Sequence, residues 1–397
     1  MKRKILFIVI ICFLFIFLFH SNIGVSYCED STQQQIFDEL EQNVDNQLSN
    51  LDFSDIEKEL NQITKDSEYF GNDSFVDRVK KIIDGNLSID YSSFISYLLT
   101  ILFDNLLAYI PTICLIVSIA IVCSLVGQMG DVGNKKSVSN IVYFVCFSVI
   151  VVIVFKNVMD LVGMTKSTLL SISNQVQGVF PVLLTLISAI GGVVSASVYQ
   201  PAVALLSSVI SQIFIAVLVP IFIFVLVFNV VGNLSSNVKL EKLSNFFTSI
   251  FKWIIGVVFT LFIAFLSIQG ITAISADGIS IKTAKFALKS YVPILGGYLS
   301  DGISLIMASS VLIKNGVGVT GLVVLLGTIL SPVMKVLIFS LSLKLVAGIV
   351  EPLSEKRISN FIYGVSKSLS MLIACIVGMG FMYLISVGLV MCSVNIF

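Results

Sequence analysis

The chain has 397 residues, 24 basic and 24 acidic, with a mean hydropathy of +1.01. Hydrophobic residues make up 56% and charged residues 12%, about half the charge of an ordinary soluble domain, so much of the chain must have the bilayer as its solvent. One histidine, His20, and seven cysteines without C-x-x-C or metal-ligand spacing leave little material for His-based catalysis or metal binding.

The zero net charge hides an asymmetry. Residues 29–90 carry sixteen Asp/Glu against five Lys/Arg, and residues 91–397 carry sixteen Lys/Arg against eight Asp/Glu. An acidic stretch followed by a weakly basic apolar one implies two environments. Ahead of both, Lys2-Arg3-Lys4 precedes fifteen apolar residues, Ile5 to Phe19, and a shorter polar stretch to Cys28. This is the three-part form of a secretory signal, too short to span comfortably. It assigns residues 1–28 to a signal peptide, with cleavage after Ser26 or Cys28 and an uncleaved anchor as the alternative. Either way residues 29–91 are exported.

That exported stretch is read as a small acidic extracytoplasmic helical domain. Ile36, Phe37, Leu40, Val44, Leu48 and Leu51 recur at steps of three and four, as do Ile56, Leu60 and Ile63, then Phe75, Val79, Ile82 and Ile83. Ser54 and Glu57 have capping-box spacing. About 60 residues make a marginal core, so these helices should pack on the membrane domain or a partner.

From residue 92 the chain turns apolar. Residues 92–175 are read as an interfacial helix, interrupted by Asp104-Asn105, and two spans at 109–127 and 138–159. Further candidate spans are 179–199, 202–231, 250–274, 292–313, 317–350 and 368–392, giving about seven to eight crossings, or six if the Gly/Ser-rich segments 179–199 and 292–313 re-enter. Pro220 and Pro332 sit inside the two longest segments, where each should interrupt the hydrogen-bond ladder. Basic residues favour the inner loops weakly.

An internal repeat is visible. Val179-Phe-Pro-Val-Leu183 resembles Tyr291-Val-Pro-Ile-Leu295, and Glu241-Lys-Leu-Ser-Asn-Phe246 resembles Lys356-Arg-Ile-Ser-Asn-Phe361. Pro181 pairs with Pro293 and Pro220 with Pro332. The two copies cover 176–275 and 288–395 with three candidate spans each, so the second would be inverted, or parallel to the first if the Gly/Ser-rich segments only dip in. Inverted repeats with interrupted helices characterise many transporters. Candidate conduit or helix-break positions are therefore Pro181, Pro220, Pro293 and Pro332, with the intramembrane charges Asp301, Lys335 and Lys344. Each lysine either faces a pore or partner, or snorkels.

Gly316-Val-Gly-Val-Thr-Gly321 matches G-x-G-x-x-G, but no strand precedes it and no acidic residue follows at the right distance. Close helix packing explains it. No nucleotide, zinc or hydrolase motif occurs, so the chain is read as a non-enzyme with no cofactor and no nucleic-acid partner. The fold class is an all-α polytopic helical membrane protein with a small N-terminal extracytoplasmic helical domain.

The Phe-Pro-Val-Leu and Gly-Gly run at 180–192, Tyr-Gln-Pro at 199–201, Ser-Asp-Gly at 300–302 and Glu-Pro-Leu-Ser-Glu-Lys-Arg-Ile-Ser-Asn at 351–360, together with the overall layout, resemble the stage III sporulation protein AE family of endospore-forming Firmicutes. The abundance of Ile, Lys, Asn and Phe suits a clostridial genome. The resemblance implies a core membrane component of a channel or secretion-like complex joining mother cell and forespore, needed for late forespore gene expression. It implies the mother-cell membrane around the forespore as location, with residues 29–91 in the intermembrane space. It also implies other stage III membrane proteins as partners. It carries over no functional residues. The alternative, from the repeat alone, is a secondary transporter or permease passing a small solute.

Overall fold

The computed structural model describes residues 31–66, 73–85, 91–132, 136–234, 240–291, 296–352 and 356–393. For some helical residues, including 269–291 and 296–301, the helix path alone is described. The signal segment 1–28 and Pro293 lie outside the described residues, and so does the side chain of Asp301. The chain divides into two compact units, 1–42 and 43–397. The first is described over 31–42, the opening of helix α1 (Ser31–Ser49); everything below concerns the second.

The described residues are helical and contain no strand. After α1 come two short amphipathic helices, α2 (Ser54–Asp66) and α3 (Phe75–Ile83). Their buried residues, Ile56 and Leu60, then Phe75 and Val79, are the periodic apolar positions of the sequence. Phe53 closes the turn between α1 and α2, its ring centroid 5.3 Å from that of Phe75. At the start of α3, Ser74 accepts from the Asp77 backbone N–H and donates to the Asp77 carboxylate. The start of α2 differs from the expected capping box. There the Glu57 N–H donates to the Phe53 carbonyl at 2.9 Å, and Asp52 in place of Glu57 accepts from the Ser54 N–H at 3.0 Å, an Asx-type turn ahead of the helix.

Six helices among the described residues are long and apolar enough to cross a membrane. α4 runs Tyr91–Val132 and α5 Lys136–Ala189. α6 is Val193–Leu234, α7 is Glu241–Tyr291 and α8 is Gly296–Val350. The sixth crossing is shared by α9 (Lys356–Ser368) and α10 (Ser370–Cys392).

The segmentation departs from the sequence reading in two places. The expected loop 160–178 is helical, because its apolar residues line one side and its buried polar residues Thr165, Thr168 and Ser173 donate to backbone carbonyls. Leu161, Thr165, Leu169, Ile172 and Val176 keep helical spacing and are buried. The expected segment 179–199 is not one helix: its first half ends α5, Gly191 turns with φ of 94°, and the rest begins α6. A positive φ there is cheap only for glycine. Prolines do not end the long helices. Pro111, Pro181 and Pro332 lie inside α4, α5 and α8, while Pro220 follows a π-helical turn at Phe214–Leu218 that accommodates the missing donor.

α8 is the centre of the bundle, with no exposed residue between Met307 and Ser340. Glycines let the helices approach it. A Cβ on Gly321 would meet the Tyr383 hydroxyl at 3.1 Å and Val179 at 3.2 Å, and one on Gly318 would meet Met391. The G-x-G-x-x-G run is thus a packing surface. At one end of the bundle the Tyr143 hydroxyl donates to the Asn233 carbonyl at 2.9 Å, and Arg357 lies 4.0 Å over the Tyr143 ring. Phe147 and Phe361 meet edge to face beside them. Residues 43–83 pack at the other end.

Candidate functional site

Three features of the bundle carry polar chemistry. The first is the seat of residues 43–83. Ile56 presses on Gly178 of α5, where an added Cβ would sit 2.8 Å from its side chain. One turn back, the Asn174 amide donates to the Glu59 carboxylate at 3.0 Å, and Glu59 is buried. On α8, Gln47 donates to Ser309 and accepts from Ser310, both at 2.8 Å. Gly316 receives Val79, 3.0 Å from an added Cβ. The N-terminal helices therefore read both central helices through shape and hydrogen bonds.

The second is a buried polar seam between α5, α8 and α10. The Gln175 amide donates to Thr328, and its carbonyl oxygen has no hydrogen-bond partner among the described residues. About one turn along α5, Phe180 packs edge-on against Tyr383, which is fully buried and whose hydroxyl has no hydrogen-bond partner among the described residues. Nearer the end of α10, Lys314 is completely buried and its ammonium donates to the Ser393 carbonyl at 2.7 Å. A cation at a helix C-terminus complements the free carbonyls and the negative end of the dipole. Lys314 is not among the intramembrane charges singled out from the sequence. The available signal was a lone charge between the apolar runs 303–313 and 316–334.

The third is the exposed face of α5. Its chemistry changes along the helix. Ile141, Phe144, Val145, Val149 and Val152 are exposed near Tyr143. Beyond them the exposed positions become Lys156, Asp160, Gly163, Ser167, Asn174 and Gln177, with Met159 and Leu170 among them. The level of this stripe follows from printed contacts. Gln175 meets Thr328 and Val179 meets Gly321, so α5 and α8 run antiparallel. The Tyr109 ring of α4 lies 4.8 Å from that of Phe339, tilted by 46°, and Phe339 is about eleven residues beyond Thr328. Counting back equally on α5 puts Tyr109 at the level of residues 160–164. On α4, exposed apolar side chains run from Ile95 and Leu99 on one side of that level to Leu125 and Val126 on the other. Asp160 therefore stands about 20 Å from either end of an apolar girdle, at about 1.5 Å per residue. A charge at such depth costs about 2.5–3.5 kcal/mol on insertion scales if it meets lipid. Neither Lys156 nor Asp160 has an ion-pair partner among the described residues.

The remaining sequence-derived positions do not converge. Pro181 is exposed on α5, and Pro220 and Pro332 are half-buried on different helices. Lys335 and Lys344 are half-buried on α8. Nine residues at 100° each place them on opposite sides of that helix, about 13 Å apart along it. Among the described residues no group of three or more His, Cys, Asp or Glu is placed to hold a metal ion.

Comparison with known proteins gives a family. The family model described as stage III sporulation protein AE matches residues 74–394. Among curated proteins, stage III sporulation protein AE of Bacillus subtilis (strain 168) is 24% identical over 316 residues, covering 80% of this chain and 79% of that protein. No solved structure matches.

Proposed function

The chain belongs to the stage III sporulation protein AE family, and from that premise we propose that it is a core membrane component of a channel or secretion-like complex linking mother cell and forespore. In this reading the protein lies in the mother-cell membrane around the forespore, with residues 29–91 on the intermembrane side. It supports late forespore gene expression through assembly and passage, without catalysis of its own. Its partners are the lipid bilayer and other stage III membrane proteins.

The observation that carries this reading is the seating of residues 43–83 on α5 and α8. An exported acidic helical unit locked onto the two longest helices, through Ile56 on Gly178 and Gln47 on Ser309 and Ser310, is a scaffold that presents one face to partners. The stretches 176–275 and 288–395 are read as two copies of one unit. Pro220 and Pro332 each standing inside a long helix followed by another supports that pairing.

Deletion of the gene in the sporulating host, with complementation by the full chain, tests the proposal. A forespore reporter of late gene expression is expected to fall without the chain and to recover with it. Affinity-tagged full chain is expected to recover other stage III membrane proteins from sporulating cells. Normal reporter expression in the deletion, or recovery of no such protein, would overturn the reading.

A further inference from the structure

We propose that this chain assembles head to tail with further copies of itself: the α8 face at Leu341, Leu345 and Ile349 of one copy receives the α7 face at Phe246, Ser249 and Trp253 of the next. The inference rests on the reading of 176–275 and 288–395 as two copies of one unit, and it names one partner within the proposed complex.

Each unit holds a long helix and the helix that returns along it, and the two hairpins run in the same directions. Ser173 of α5 donates to the Ser207 carbonyl and Tyr143 to that of Asn233, so α6 is antiparallel to α5. α8 is antiparallel to α5 as well, so α6 and α8 point the same way. α7 returns along α6, with Leu240 beside Gly232 and Phe247 beside Phe224. α9 returns along α8, where Ser359 donates to the Ala347 carbonyl and Ser340 to that of Ser366, both at 2.9 Å. The register inside the hairpins matches too. Phe228 and Ser340 each stand eight residues after a proline, Pro220 or Pro332, and each meets the returning helix.

The two hairpins join through a contact of defined register. Asn229 of α6 donates to the Ser368 hydroxyl of α9 at 3.3 Å, and a Cβ added to Gly364 would press on the Asn229 side chain. Asn229 stands nine residues after Pro220, and Leu341 nine after Pro332. Gly364 and Ser368 stand three and seven residues after Phe361, and Ser249 and Trp253 three and seven after Phe246. The counterpart of the joint is therefore Leu341 against Ser249 and Trp253. One chain does not make it: Leu341 is 49% exposed, Trp253 is 69% exposed, and Ser249 is exposed. Leu345 and Ile349 extend the α8 face by one and two turns, and Phe246 extends the α7 face, all exposed.

A second copy follows from this register. The face that suits α8 is one the chain itself carries on α7, and the chain already joins the equivalent faces of α6 and α9. Contact with lipid accounts for apolar exposure on either helix, but not for its coincidence with a joint made elsewhere in the same chain. Two different faces meet, so each added copy leaves one of each free. Such contacts close into a ring when the rotation divides the circle and otherwise run on as a filament. Side-chain packing supplies the attraction, as between other membrane helices.

The test uses the full chain with the exposed Cys114 and Cys392 replaced by alanine, reconstituted in liposomes. Chains carrying Leu341→Cys and differently tagged chains carrying Ser249→Cys are mixed and oxidised, and the chain without introduced cysteines sets the background. The mixed disulfide is expected in roughly tenfold excess over either like-with-like dimer, because a disulfide needs Cβ atoms about 3.5–4.5 Å apart. A chain carrying both cysteines should give a ladder of higher oligomers. Trp253→Ala in the Ser249→Cys chain should lower the mixed yield at least about fivefold, as expected for an aromatic anchor. Should that variant fail to fold, Phe246→Ala is read in its place. No mixed disulfide above background would mean that these faces meet lipid, and it would overturn the proposal. Like-with-like dimers in equal yield, an unchanged yield in the aromatic variants, or a cross-link in native membranes to a different protein in place of a second copy would do the same. The liposome result involves neither spore formation nor other stage III proteins, so it can fail while the complementation stands, and the reverse.

Discussion

At the scale of single residues, burial is not predictable from polarity. Lys314 is completely buried, while Leu107 and Val152 are exposed. Lys314 is tolerated because its chain is packed on all sides and its ammonium meets the Ser393 carbonyl. Tyr383 is a different case. It is buried with no partner for its hydroxyl among the described residues, and a buried unmade hydrogen bond costs about 1–3 kcal/mol. Tyr383→Phe should therefore leave stability unchanged or raise it by about 1 kcal/mol. Thermal unfolding in detergent would check this, and a drop of several degrees would mean that the hydroxyl is satisfied. Gly321→Ala should destabilise the wild-type chain by about 1–3 kcal/mol through overpacking, and less in the Tyr383→Phe chain. The added Cβ would then no longer meet the hydroxyl, although it would still meet Val179.

At the scale of elements, the short N-terminal helices combine a shape fit with surface electrostatics. Lys80 pairs with Asp45 at 2.7 Å and Lys81 with Asp73 at 2.7 Å. The bond from Lys81 holds Asp73 below the usual carboxylate range, and the bond to Asp45 raises Lys80. The signs follow from linkage. The Asp73 contribution is present above the ordinary carboxylate range and is lost as pH falls through its lowered value. The Lys80 contribution is present below the ordinary lysine range and is lost as pH rises through its raised value. Both pairs are solvent-exposed, so each is worth about 1 kcal/mol or less. Hydrogen exchange across α3 should be flat from roughly pH 5 to 9 once corrected for intrinsic rates, and protection should weaken modestly in acid. Complete loss of protection as pH falls below the ordinary carboxylate range would mean that the ion pairs, and not Ile56 and Val79, hold the helix in place.

At the scale of the whole molecule, helix length is the governing quantity. α5 has 54 residues and α8 has 55, about 80 Å each at 1.5 Å per residue. A bilayer with its headgroups is about 40–45 Å thick. The bundle must therefore stand well clear of the membrane, and the seat for residues 43–83 lies toward one of its ends. Electron microscopy of the full chain in lipid nanodiscs should show density extending roughly 30 Å beyond the disc. A particle contained within the disc would require strong tilt or broken helices in place of the continuous ones seen here.

The amino-acid sequence by itself determined the solvent and the secondary structure. Charge at 12% and runs of apolar residues are local properties, and they dictate helices in a bilayer whatever the packing. The periodic faces of α2 and α3 were legible for the same reason. Tertiary structure decided continuity and placement. Residues 160–178 read as a loop because their polar residues were counted, not located. In the fold Leu161, Ile172 and Val176 are buried at helical spacing, Thr165 and Gln175 are buried with hydrogen bonds beside them, and the helix runs through. Lys335 and Lys344 were singled out from the sequence, whereas Lys314 and Asp160 emerged only from the fold. The cost of a polar residue in a membrane depends on what other helices bring to it, and that is fixed by contacts distant in sequence.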